Sequence, residues 1–88
     1  MAFRFRQLEK RVLLRKRLSD SGFEVRMHSY DYFVIKEKFV SIISLEPEFN
    51  KASIKKISWN LKGSVSAIDK IYKIVKEIDP QITIEIRE

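Results

Sequence analysis

The sequence predicts an α+β fold, a single small domain over residues 1–88 in which two helices cover an antiparallel sheet of about four to five strands. Three observations lead there. Residues 64–78 repeat apolar side chains at helical spacing, and residues 23–28 and 82–87 alternate apolar with polar side chains at the period of a strand. A chain of 88 residues has room for one core, because it buries only about 60–65% of its unfolded surface. The expected order of elements is α-β-β-β-β-α-β.

The first helix is expected over residues 6–20, where Gln, Leu, Glu, Lys and Arg are all good helix formers. Ser19–Asp20–Ser21–Gly22 is a stop signal, with Gly22 as the C-terminal cap. At about 100° per residue, Phe5, Leu8 and Val12 form an apolar stripe, with Arg4, Arg11 and Arg15 beside it. Arg6, Lys10 and Arg17 make a second basic stripe. Leu13, Leu14 and Leu18 fall outside the apolar stripe, so this helix packs on two sides or buries Leu13 against something outside the chain. The first residues also alternate with period two, which allows a short strand before the helix.

A meander follows. Phe23, Val25 and Met27 alternate with Glu24, Arg26 and His28 as a half-buried strand. Ser29–Tyr30–Asp31 is a turn, Tyr32–Ile35 and Phe39–Leu45 are further strands separated by Lys36–Glu37–Lys38, and Pro47 ends the run. Residues 53–61 are expected to be a fourth strand, with Ile57, Trp59 and Leu61 on one side and a phase break at Lys55–Lys56 that reads as a bulge. For residues 48–62 a helix is the alternative.

The second helix is the clearest element. Val65, Ile68, Ile71, Tyr72, Ile74, Val75 and Ile78 cover one half of the wheel. Gly63 and Ser64 start it and Asp79–Pro80 ends it, because a residue before proline avoids the helical region. In the last strand Ile82, Ile84 and Ile86 face one way. This strand either joins the sheet or pairs with a second copy of the chain, and a homodimer is expected.

Charge is the main functional signal. The net charge is +6, and residues 1–17 hold seven cations (Arg4, Arg6, Lys10, Arg11, Arg15, Lys16, Arg17) against the single acid Glu9. The remaining residues carry eleven cations and eleven acids, so the first fifth of the chain holds the whole excess. Such asymmetry points to an acidic partner, and arginine, five of the seven, suits bidentate phosphate contact. The competing reading is a solvated face whose cations pair with acids elsewhere, in a composition rich in Ile, Lys and Glu that resembles thermophile usage.

Other chemistry finds little material. Cysteine is absent, which removes disulfides, thiolate nucleophiles and cysteine-ligated metals, and fits a cytoplasmic location. His28 is the single histidine, on a strand face expected to be solvated, so no histidine metal site or nucleophile–histidine pair is expected. Two isolated glycines make no phosphate loop. No apolar run approaches the ~20 residues of a membrane span, and the basic N-terminus lacks the apolar stretch of a secretory signal. The expectation is therefore no enzyme, no cofactor, no metal and no membrane.

The favoured reading is a small basic protein that binds the nucleic-acid backbone, DNA or RNA, or serves a nucleic-acid-processing complex. Arg4, Arg6, Lys10, Arg11, Arg15 and Arg17 are its expected phosphate contacts. A second cluster is Lys51, Lys55, Lys56 and Lys62 around Trp59, of which Lys55 and Lys56 join the expected contacts. An acidic protein surface would draw on the same cations. The alternative function is a protein-interaction or dimerisation module, suggested by the surplus leucines of the first helix and the amphipathic last strand.

Overall fold

The computed structural model describes residues 4–58 and 61–87. A 3-10 turn at Arg4–Arg6 leads into helix α1 (Leu8–Asp20). Strands β1 (Glu24–His28), β2 (Asp31–Lys36), β3 (Phe39–Glu46) and β4 (Lys51–Ser58) follow, with a 3-10 turn at Pro47–Phe49 before β4. Helix α2 (Leu61–Ile78) and strand β5 (Thr83–Arg87) complete the chain. The expected α-β-β-β-β-α-β order is present, and the strand expected over residues 53–61 is found as far as Ser58, not the alternative helix.

The sheet has the spatial order β1-β2-β3-β4-β5. The first four strands form an antiparallel meander, but β5 runs parallel to β4, so the sheet is mixed rather than purely antiparallel. The reason lies in the connection: α2 carries the chain back along the sheet before β5 starts, and a crossover of this kind joins parallel strands. The meander turns rest on left-handed residues, Ser29 (φ 58°), Glu37 (φ 55°) and Asn50 (φ 49°).

All the buried apolar residues of the strands share one face. Tyr32 and Val34 of β2, Phe39, Ile43 and Leu45 of β3, and Ala52 and Ile54 of β4 meet Leu14 and Leu18 of α1 and Ala67, Ile71, Ile74, Val75 and Ile78 of α2 in one core. The helices therefore form a single layer, and among the described residues nothing covers the other face of the sheet. That face carries Arg26, Phe33, Ile42, Lys55 and Arg87, which stand side by side across all five strands.

Several expected details are corrected. The fourth strand begins at Lys51 and ends at Ser58, and Leu61 already belongs to α2. The register shifts opposite Val40 and Ser41, which pair with Ser58 and Lys56, so the inserted residue is Ile57. The phase break expected at Lys55–Lys56, which would have turned Ile57 into the core, thus falls at Ile57 itself, which is half-exposed. Trp59 lies outside the described residues. In α2, Val65 and Tyr72 sit at the margins of the apolar half and are exposed.

Candidate polyanion-binding surface

Helix α1 and the turn before it present the cations, so their phase decides which are free. Helix formation follows from the run of good helix formers, and its end is closed by a hydrogen-bonded cap. The Gly22 N–H donates to the Ser19 carbonyl (3.1 Å) and the Phe23 N–H to the Leu18 carbonyl (3.3 Å), with Gly22 at φ +97°. Phe23 then enters the core beside Phe39.

The helix rolls differently from the stripe that its sequence suggests. Leu14 and Leu18 are fully buried and Leu13 is partly so, whereas Leu8 is 61% and Val12 40% exposed. Phe5 is buried, as the stripe required, but from the preceding turn. The leucines that lacked a home are thus the core face, and they need no outside partner.

This roll sorts the cations. Arg4 donates from its guanidinium to the Ile78 carbonyl at 2.8 Å and ties the first turn to the end of α2. Arg11 donates to the Phe5 carbonyl (2.8 Å) and the Arg6 carbonyl (2.9 Å), and its guanidinium lies over the Tyr30 ring at 4.5 Å. Its Nε is buried with no partner among the described residues. Arg17 pairs with Glu77 of α2, and Lys16 lies 3.6 Å from Asp20 one turn along α1. The side chains of Arg6, Lys10 and Arg15 form no hydrogen bond or ion pair among the described residues.

Under this layer, Tyr32 donates its hydroxyl to the Arg11 carbonyl at 2.8 Å. Burial pushes the Tyr32 phenol far up from its ordinary value, and the positive charges of Arg11 and Arg15 offset only part of that rise. The hydroxyl therefore stays a donor throughout the neutral range.

The free cations do not form one row. At about 100° per residue Lys10 and Arg15 stand about 140° apart on α1, Lys10 toward the α2 side and Arg15 toward β1. Arg6 lines a shallow groove with Tyr30, Glu46, Pro47, Glu48 and Phe49, where two acids stand near it.

Of the two expected lysines of β4, the structure sets Lys55 apart from this surface. Lys55 alternates with the buried Ile54 and so lies on the uncovered face, opposite to the helices, between Ile42 and Arg87. Lys56, next along the strand, stands opposite Ser41. The uncovered face is also balanced in charge: Arg26, Lys51, Lys55 and Arg87 meet Glu24, Asp31, Glu46 and Glu85. Lys51 pairs with Glu85 at 2.5 Å and Arg87 with Glu85 at 2.9 Å, and hydrogen bonds from these two cations hold the Glu85 carboxyl below its usual value. The basic excess thus belongs to the helical layer alone.

Sequence reasoning missed two things here. Lys16 is exposed, and only its place on the outer face of the rolled helix reveals it. The structural duty of Arg11 had no local signal, since its partners are carbonyls brought round by the turn at Arg4–Arg6.

His28 is exposed on the uncovered face opposite Asp31. No group of three or more His, Asp or Glu side chains is arranged to hold a metal ion among the described residues. None of the described helices is long and apolar enough to cross a membrane. Compared with known proteins, the chain matches no family model, no curated protein and no solved structure.

Proposed function

We propose that the chain is a small, non-enzymatic, cytoplasmic protein that binds the phosphate backbone of nucleic acid through its helical layer. The observation that carries this reading is the lack of compensation. Of the seven cations in residues 1–17, only Lys16 and Arg17 meet a carboxylate among the described residues. A merely solvated, self-neutralised face would have paired more of them. Arg6, Lys10, Arg15 and Lys16 are the contacts, because each is accessible and none is tied to a backbone carbonyl. Arg4, Arg11 and Arg17 hold the layer together beneath them.

The positions of Lys10 and Arg15 on different flanks of α1 suit a flexible or grooved polyanion that passes over the helix. Such contacts neutralise phosphates and release counterions without reading sequence.

The test is a fluorescence-anisotropy titration of the full chain against labelled duplex DNA, labelled single-stranded RNA and labelled polyglutamate. Binding to either nucleic acid that weakens with salt supports the reading. Binding to polyglutamate alone assigns the cations to an acidic protein surface, and binding to none of the three rejects the polyanion function.

A further inference from the structure

The core of this protein is open at one side. Among the described residues, strand β1 ends the sheet and is hydrogen-bonded to β2 alone. The outer side of such a strand offers backbone N–H and C=O groups to another strand. Beside this edge, α1 turns out a stripe at helical spacing made of Leu8, Val12, Arg15 and Ser19, with Leu8 and Val12 exposed. Val12, Arg15, Lys16, Ser19 and Asp20 form a groove with Val25 of β1. Val25 and Met27 point to the core face yet are only partly buried. A further strand alongside β1 would close this corner. The opposite edge differs, because Lys76 of α2 is hydrogen-bonded to the Ile82 carbonyl at the approach to β5 and Glu85 there is held by both Arg87 and Lys51, whereas on β1 Glu24 meets Arg26 alone among the described residues, at 3.8 Å.

We propose that the missing strand is β1 of a second copy, paired antiparallel about a two-fold axis at Val25, so that one sheet runs through both chains. Charge selects both occupant and register. The strand reads Glu24-Val25-Arg26. With Val25 opposite Val25, each Glu24 faces the second copy's Arg26, giving two opposite-charge pairs on the uncovered face. Centring the axis on Arg26 would oppose two arginines, and centring it on Met27 would set Arg26 against His28. In the Val25 register, Phe23 and Met27 also meet across the axis on the core face, so the open corner becomes continuous core. Leu8 and Val12 of each copy then gain apolar cover above the junction. The same patch serves both chains, as a two-fold interface requires.

This pairing stands apart from the polyanion reading, and mass measurement reads it without nucleic acid. Light scattering and sedimentation of the full chain, freed of bound nucleic acid, should give twice the 10.5 kDa chain mass and dissociate on dilution. Glu24→Arg or Arg26→Glu alone should weaken the dimer about tenfold or more, since two attractive pairs become repulsive. The double variant E24R/R26E should restore it to within about threefold by exchanging the charges. Val12→Glu should also dissociate it, and Leu8→Glu, at a more exposed position, carries the same test if V12E fails to fold. A monomer at every concentration overturns the proposal. So does a dimer indifferent to V12E or L8E and to the single charge reversals, which would use another face.

Discussion

The Tyr32 hydroxyl donates to the Arg11 carbonyl at 2.8 Å, so a buried strand side chain holds a helix whose outer face carries the basic excess. Tyr32→Phe removes that donor and should cost about 1 kcal/mol of stability, read by denaturant unfolding. Burial of the phenol also makes stability depend on alkaline pH. The folded-state phenol is raised above its unfolded value of about 10, so the native state holds its proton longer. The contribution is fully present below that pH and is lost as pH rises beyond it. Alkaline unfolding should therefore be shallower in Y32F than in the parent.

Arg11 and Arg15 should respond in opposite ways to the same change. Arg11→Gln removes a charged donor from two carbonyls and the cover from Tyr30, and should destabilise the fold by about 1–3 kcal/mol. Arg15→Gln removes an exposed charge and should shift stability by less than about 0.5 kcal/mol. Chemical denaturation of the two variants compares them directly.

The roll of α1 gives a third outcome. Leu14→Ala should cost about 2–5 kcal/mol, because Leu14 is fully buried among both helices and the sheet. Leu8→Ala, at a position 61% exposed, should change the stability of the monomer by less than about 0.5 kcal/mol. Equal losses at the two positions would mean that Leu8 faces the core.

That contrast shows what the sequence could and could not reveal. Strands β1 to β4 were legible because Val25, Val34, Ile43 and Ile54 alternate with polar or half-exposed neighbours, and a two-residue period names the inward face directly. The core of α2 was legible for the same reason at helical spacing. In α1, apolar residues occur on nearly every side, so periodicity could not choose between Leu8–Val12 and Leu14–Leu18. The choice fell to tertiary packing over Tyr32. The parallel placement of β5 was equally hidden, since alternation in Ile82, Ile84 and Ile86 states a face and not a neighbour. For the candidate site, charge asymmetry located the basic segment. It could not separate Arg4 and Arg11, which reach carbonyls distant or newly turned, from Arg6, Lys10 and Arg15, which reach none.

The two glycines should differ in sign. Gly22 at φ +97° caps α1, and Gly22→Ala should destabilise by about 1–2 kcal/mol. Gly63 lies in the first turn of α2, where a Cβ would meet nothing within 4 Å. Gly63→Ala should stabilise by about 0.5 kcal/mol. Thermal melts of the two variants check both shifts.

The most direct measurement is nucleic-acid affinity as a function of salt, for the parent chain and for the variant R6Q/K10Q/R15Q/K16Q. Four phosphate contacts predict that log K against log salt falls with a slope of roughly −3 to −4 on duplex DNA. In the variant, binding should become weak and almost independent of salt while its melting temperature stays near that of the parent, because these side chains are exposed or, for Lys10, half-buried, and bear no backbone contacts. A parent chain that fails to bind even at low salt would contradict the proposed function, as would a variant that keeps the parent's affinity and slope.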